Sequence, residues 1–391
     1  MQPFHIARGG HPAASSTTPA APAIFQTSAF DIPDLDALEA IYRRESAGHV
    51  YTRDSNPNHA ALMHSIASME GTAGAAVFAS GMSAISSVFL TLASAGDHVI
   101  LSRALYGKTV QLAERMQRQF GLQLTSVDLT EPAQFRSAIT DRTKFALIES
   151  ISNPLLEVAD ISAIANALGS VPLVVDSTFT TPELVRPCQV GATIVVHSAS
   201  KYLNGHGDVM LGAAAGSAEM MRRLNQTASL FGLNANPFES WLCQRGLRTL
   251  PLRMQQVCRT TVQLAEFLQH HPAIRRIWHP TLPGHRSYEP AKRLYPNGTG
   301  GILTVELAGE GRDVVNRFMQ NSPTIPFAPT LADARTTISW PAGTSHRFMS
   351  EQSRLELGIT ENLLRLSVGL EPFELLSTEL KATLDSLLMS R

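Results

Sequence analysis

The chain has 391 residues, which at roughly 150 per domain points to two or three domains. Its 32 basic and 33 acidic residues leave a net charge of −1, so no global field draws it to nucleic acid or an anionic membrane. Apolar residues make up 44% and charged residues 17%, against a usual charged share of about 25%, which excludes a disordered chain and implies a large buried fraction.

The N-terminus shows no basic segment followed by an apolar core, so no secretory signal is expected. Residues 12–23 are rich in Pro, Ala, Ser and Thr and read as part of an extended arm, assigned to residues 1–50. A regular alternation starts near residue 56. The pattern predicts a helix over 56–69, with Pro57 in its first turn and Leu62, Ile66 and Met69 on one face. Gly71 to Gly96 is a run of 26 uncharged residues, long enough to span a membrane. Its five Ser, two Thr and four Gly instead favour buried soluble structure. Strand-like runs follow at 75–79, 98–102, 144–149, 171–176, 193–197 and 211–215, with helical patterns at 82–94, 107–119, 131–139 and 160–168. Strand and helix in repetition predict an α/β domain over 51–245, its mostly parallel sheet covered by helices on both faces. Beyond residue 237 a helical stretch runs from Phe238 toward His270 with a break at Pro251. Strands at 302–307, 335–339 and 363–368 and a closing helix at 372–389 predict a smaller C-terminal α+β domain over 246–391. Cys188, Cys243 and Cys258 form no CxxC pair and no even framework, so a reduced, cytoplasmic chain is expected. The His residues show no ligand spacing, and no metal site is proposed.

Open parallel sheets bind ligands at the C-terminal ends of their strands, and two such ends carry unusual residues. Val171-Pro-Leu-Val-Val-Asp176 ends a buried run on a carboxylate that needs a cationic partner. Thr193-Ile-Val-Val-His197 leads into Ser198-Ala-Ser-Lys201, where a lysine follows two hydroxyl residues. The spacing fits one strand-turn-helix-strand excursion, so both groups could face one pocket. A cationic nitrogen heterocycle suits the acid and an aldehyde suits the lysine; pyridoxal phosphate is both. Ala79-Ser80-Gly81-Met82-Ser83 lies between a strand and a helix, where free N–H groups and the helix dipole favour its phosphate. His197, at the end of a buried run, reads as a packed core histidine.

These residues resemble the pyridoxal-phosphate-dependent trans-sulfuration enzymes of Cys/Met metabolism: cystathionine γ-synthases and γ-lyases, and acylhomoserine sulfhydrylases. The likeness runs nearly end to end and is most specific at Tyr51-Thr-Arg-Asp-Ser-Asn-Pro57, Ser198-Ala-Ser-Lys-Tyr-Leu-Asn-Gly-His206 and Leu364-Arg-Leu-Ser-Val-Gly-Leu-Glu371. The resemblance implies an aminotransferase-like fold of type I, with pyridoxal 5'-phosphate as cofactor. It implies that Lys201 holds the cofactor aldehyde and later shuttles protons, that Asp176 keeps the ring nitrogen protonated, and that Tyr106 stacks on the ring. Ser80, Gly81, Met82, Ser198 and Ser200 match the phosphate cradle. Tyr51 and Arg53 match a pair that reaches the neighbouring subunit's phosphate in a homotetramer built from dimers. Asn153 and Arg365 match the groups around the substrate α-carboxylate. Independently of the family, a lone guanidinium among the strand residues 363–368 wants a fixed anion; a salt bridge to Glu361 or Glu371 is the structural alternative.

The reaction is harder to read. Lys108 stands where many relatives carry Gly and methionine γ-lyases Cys, and Arg335 precedes Thr336 where cystathionine-handling relatives often carry Glu-Ser. Two cations, Lys108 and Arg335, would attract an anionic substituent on the substrate and repel a distal ammonium. The expected reaction is γ-replacement on an activated homoserine, with a γ- or β-eliminating C–S lyase as the alternative. A catalytically silent cofactor-binding protein on the same fold is a remote third.

Overall fold

The structure, a computed structural model, describes residues 21–389. The start of the arm, including most of residues 12–23, lies outside them. The described part of the arm is not extended throughout, because Asp34 caps a helix at Leu35–Tyr42 by accepting from the Ala37 amide.

The strands are β1 (Gly74–Phe78), β2 (His98–Ser102), β3 (Gln123–Val127), β4 (Thr143–Glu149), β5 (Leu173–Asp176), β6 (Ile194–Ser198) and β7 (Gly212–Gly216), and they form one sheet in the order β1-β7-β6-β5-β4-β2-β3. β2 to β6 pair in parallel among themselves, while β7 runs antiparallel between β1 and β6. Side chains alternate between the faces at a period of two. Ala76, Phe78, Leu101, Leu147, Val174 and Val196 meet the helices Gly81–Leu92 and Ala218–Phe231 on one side, while Ile100, Ile148 and Val175 bury against Ile161–Leu168 on the other. Burial on both faces is what makes these strands read as nearly continuous apolar runs.

A second, antiparallel sheet is built from β8 (Ile274–Trp278), β9 (Ile302–Leu307), β10 (Thr337–Ser339) and β11 (Leu363–Ser367), in the order β10-β11-β9-β8. The helices Leu250–Leu268 and Phe373–Met389 close its core through Leu264, Leu268, Leu380 and Leu384. The break in the long helical stretch falls at Arg248–Thr249, and Pro251 lies in the first turn of the next helix. A proline there loses no hydrogen bond, so it starts a helix instead of interrupting one.

The uncharged run from Gly71 to Gly96 comprises β1, the turn at Ala79–Ser80 and the helix Gly81–Leu92. Among the described residues no helix is long and apolar enough to cross a membrane.

Candidate functional site

Strands β4, β5 and β6 end side by side on Glu149, Asp176 and Ser198. β2 lies beyond β4, and the connection after it leads to Tyr106. This is the edge where an open parallel sheet presents ligand-binding residues.

Asp176 is half-buried, and among the described residues its hydrogen bonds come from Thr178: the amide at 3.0 Å and the hydroxyl at 2.5 Å, both to Oδ1. Thr178 Oγ1 in turn accepts from the Ser198 amide at 2.8 Å. A short chain of bonds thus fixes the acid against the loop that carries the lysine. Burial raises the Asp176 carboxyl, against the opposing pull of the Thr178 bonds and His197. An ionised Asp176 is therefore waiting for a cation.

Lys201 Nζ donates to Thr330 Oγ1 at 2.9 Å. Burial first, then the Arg365 charge, push the amine down to about 8. Such a lysine is in part neutral near physiological pH, as attack on a carbonyl requires. The following loop is clamped by Arg253, whose guanidinium donates to the carbonyls of Tyr202 at 2.7 Å, Leu203 at 3.3 Å and Gly246 at 3.0 Å. Gly205 passes so close beneath it, at φ +75°, that a Cβ would lie 2.0 Å from Arg253 Nη1. Any larger residue there would push away the Arg253 guanidinium that clamps the loop.

The turn after β1 is built to present backbone N–H groups. Ser80 caps the helix Gly81–Leu92 by accepting from the Ser83 amide at 3.1 Å, leaving the Gly81 and Met82 amides at its open positive end. A Cβ on Gly81 would sit 2.8 Å from Ser198 Cβ, so glycine is what lets the turn close onto β6. The Ser200 hydroxyl accepts from the Leu211 amide at 2.8 Å and braces the same loop. Donors at one end, an acid awaiting a cation and a lysine with a depressed proton affinity together fit pyridoxal phosphate.

Arg365 lies in β11, 4% exposed, without a carboxylate partner among the described residues. Nη1 donates to Asn153 Oδ1 at 2.9 Å and Nη2 to the Thr330 carbonyl at 3.1 Å, while Nε is buried with no acceptor. The structural alternative is removed: Glu361 pairs with Arg354 at 2.6 Å, and Glu371 accepts from the Thr336 amide and hydroxyl at 2.7 and 2.8 Å. Leaving a buried guanidinium without an anion is costly, so Arg365, with its Nε lacking an acceptor, suits a carboxylate from outside the chain. The Thr336 hydroxyl is occupied by Glu371 and also accepts from the Gly369 amide, so it braces the loop beside β11.

Tyr106 is 38% exposed and begins the helix Gly107–Phe120. Burial raises its phenol, with Arg365 acting to lower it and Glu149 to raise it. Lys108, in the first turn of that helix, donates to Gln111 Oε1 at 3.1 Å and lies 3.8 Å from the centre of the Phe348 ring. Arg335 is 66% exposed and pairs with Asp333 at 3.5 Å. Arg53 stacks over Tyr51 at 5.2 Å and lines an open hollow beside the helix Ala218–Phe231. Among the described residues neither of the two bonds to Lys201, Asp176 or the Gly81 turn. His197 is buried, as its sequence position predicts, and its Nε2 lies 2.6 Å from Glu70 Oε1.

Three residues of the site escaped the sequence reading. Thr178 had a local signal, since a threonine two places after Asp can close an Asx-type turn. Glu149 had the same signal as Asp176, an acid ending a buried strand. Thr330 had none, because its contacts with Lys201 and Arg365 are purely tertiary.

The Cys/Met metabolism PLP-dependent enzyme family matches the chain over residues 5–385. An O-succinylhomoserine sulfhydrylase of Pseudomonas aeruginosa is 37% identical over 368 residues, 93% of this chain and 91% of the relative. An L-methionine gamma-lyase of Porphyromonas gingivalis is also 37% identical, over 370 residues, 93% of this chain and 92% of the relative. The crystal structure of cystathionine gamma synthase from Xanthomonas oryzae pv. oryzae, in complex with aminoacrylate and cysteine, superposes with a TM-score of 0.89 at 32% identity, covering 95% of this chain and 94% of that one. Three different reactions are thus about equally similar to it.

Proposed function

The chain belongs to the Cys/Met metabolism PLP-dependent enzymes, and from that premise we propose that it carries out γ-replacement on an activated homoserine, in the manner of a cystathionine γ-synthase or an O-acylhomoserine sulfhydrylase. That it is a pyridoxal-phosphate-dependent enzyme acting on sulfur-containing amino acids follows from the family. The choice of reaction is carried by one observation, the positive charge at positions 108 and 335. Lys108 stands two residues beyond Tyr106, and Arg335 stands directly before Thr336. Neither position offers the carboxylate that a distal substrate ammonium would seek.

When bound, the cofactor supplies a protonated ring that withdraws electrons from the substrate's α-carbon. Asp176, held by Thr178, keeps the ring nitrogen protonated. Gly81 and Met82, with Ser80, Ser198 and Ser200, hold the phosphate. Arg365 and Asn153 grip the substrate α-carboxylate. The Lys201 amine moves protons at the α- and β-carbons, and Tyr106 packs on the ring and assists that transfer. Lys108 and Arg335 favour an anionic leaving group.

Purified enzyme offered O-succinylhomoserine, O-acetylhomoserine, cystathionine or methionine, with and without cysteine or sulfide, is expected to form a thioether from the esters. Lys108→Ala is expected to raise KM for the succinyl ester by about 3–10-fold, the worth of roughly 1 kcal/mol for an exposed charge contact, and to spare the acetyl ester. Rapid oxo-acid release from cystathionine, with no thioether from either ester, would establish the eliminating lyase instead.

The placement of Tyr51 and Arg53 away from the other site residues supports a site shared across a dimer, within a cytoplasmic homotetramer. Arg53→Ala and Lys201→Ala subunits should each be inactive alone. A heterodimer of the two carries one site with both defects and one with neither, so it should regain about half the activity of the wild-type dimer. Verified heterodimers that stay inactive would refute sharing.

A further inference from the structure

Glu149 closes β4 beside the proposed site and is 8% exposed. One of its oxygens accepts from the Tyr106 amide at 2.6 Å, and the Asn153 amide lies near enough to pull its proton affinity down. Those two amides belong to separate loops, one after β2 and one after β4, and the loops carry the ring-facing tyrosine and half of the carboxylate clamp. Glu149 is also the register partner of Asp176. Register partners on parallel strands project to the same face about 4.8 Å apart, so two carboxyls stand together.

Among the described residues Glu149 has no ion-pair partner. Burial, and then the Asp176 charge, push its carboxyl well above the ordinary range. Two adjacent buried acids do not both ionise cheaply. Asp176 has a cationic ring nitrogen to meet; Glu149 has amide donors, which a neutral carbonyl oxygen can also satisfy.

We propose that Glu149 is a positioning residue, a hydrogen-bond acceptor that fastens the Tyr106 and Asn153 loops to one strand end and does so without needing its charge. The role rests on the placement of Tyr106 and Asn153 in the site proposed above. Through the first loop it sets how Tyr106 lies on the ring; through the second it sets where Asn153 meets Arg365.

The test compares Glu149→Gln with Glu149→Ala in the cofactor-loaded enzyme. Glutamine keeps an acceptor oxygen without the charge, so Glu149→Gln should stay within about threefold of wild type in kcat and KM. Glu149→Ala should lose about 10–100-fold in kcat/KM, the scale of a misplacement near 1 Å. That loss should divide between kcat, through Tyr106, and KM, through Asn153. In a Tyr106→Phe background the effect on kcat should shrink to under about threefold, because residues acting through one another are not additive. Visible circular dichroism of the bound cofactor should change in Glu149→Ala and not in Glu149→Gln. The proposal is overturned if Glu149→Gln, folded and loaded, falls more than tenfold, which would make the charge essential. It is equally overturned if the alanine effect persists undiminished beside Tyr106→Phe. Should the alanine variant fail to fold, the glutamine variant decides alone. Silent Tyr106→Phe and Asn153→Ala variants would instead remove the site reading itself, whereas impaired ones beside a silent Glu149→Ala would remove only the role of Glu149.

Discussion

Lys201→Ala is expected to abolish turnover, by at least about 10³-fold, and to erase the visible absorbance of the cofactor-loaded enzyme. In the proposed site the amine binds the aldehyde and carries protons afterwards, and neither Thr330 nor Arg365 beside it can replace it. Thr330 donates or accepts only through a hydroxyl, and Arg365 is committed to Asn153 and the Thr330 carbonyl. Lys201→Arg should be no better, since a guanidinium is never neutral enough to attack a carbonyl. The same lysine makes a kinetic prediction. With its proton affinity down at about 8, the neutral fraction grows tenfold per pH unit below that value and levels off above it. Capture of added cofactor by the apoenzyme, followed by absorbance, should speed up accordingly between pH 6 and about 8. A capture rate that does not change over that range would show that the amine is neutral for another reason or is not the acceptor. Retained absorbance in Lys201→Ala would remove Lys201 from the centre of the mechanism.

What the sequence made legible follows burial. β2, β4, β5 and β6 are covered on both faces, so their apolar runs stand out, and the acid and lysine that break the pattern stand out with them. Two of the four edge strands, β3 and β8, were missed, whereas β1 and β10 were expected. β3, Gln123-Leu-Thr-Ser-Val127, has one neighbour and is largely solvent-facing, and β8, Ile274-Arg-Arg-Ile-Trp278, carries two arginines on the rim of the smaller sheet. Polar edge strands resist further pairing, and that same polarity hides them from a search for apolar runs. The helix Ala218–Phe231 was missed although Ser217 caps it, because half of its residues are polar and dilute the apolar pattern. At the site, the limit was distance along the chain. Asp176 and Thr178 are neighbours in sequence, but Lys201 meets Thr330 and Asn153 meets Arg365 across separations that no local pattern encodes. The reaction type is less legible still, since Lys108 and Arg335 are exposed side chains whose partners, Gln111 and Asp333, are their own near neighbours.

Asp176→Asn should separate stability from function in opposite directions. In the apoprotein the Asp176 carboxyl lies above its unfolded value, chiefly from burial. The folded chain then keeps a proton that the unfolded chain releases, so stability from this residue is lost as pH rises from the ordinary carboxylate range toward the raised one, and stays lost above it. Asparagine has the same shape, can still accept from Thr178 and has no charge to bury. Apo Asp176→Asn should therefore match the wild type at acid pH and melt higher at neutral pH, with the gap opening across that window. Cofactor binding inverts the comparison. A protonated ring nitrogen gives the wild-type carboxylate its partner, so loading should raise the melting temperature of the wild type more than that of Asp176→Asn. Activity should fall by about 10²–10³-fold, the usual cost of removing one preorganised group that stabilises developing charge. Thermal melts of apo and loaded protein from pH 4 to pH 8, set beside kcat, measure all three effects. If apo Asp176→Asn is no more stable than wild type at neutral pH, the buried carboxylate has a partner other than the ring. If kcat is unchanged, the ring nitrogen is not the atom that Asp176 serves.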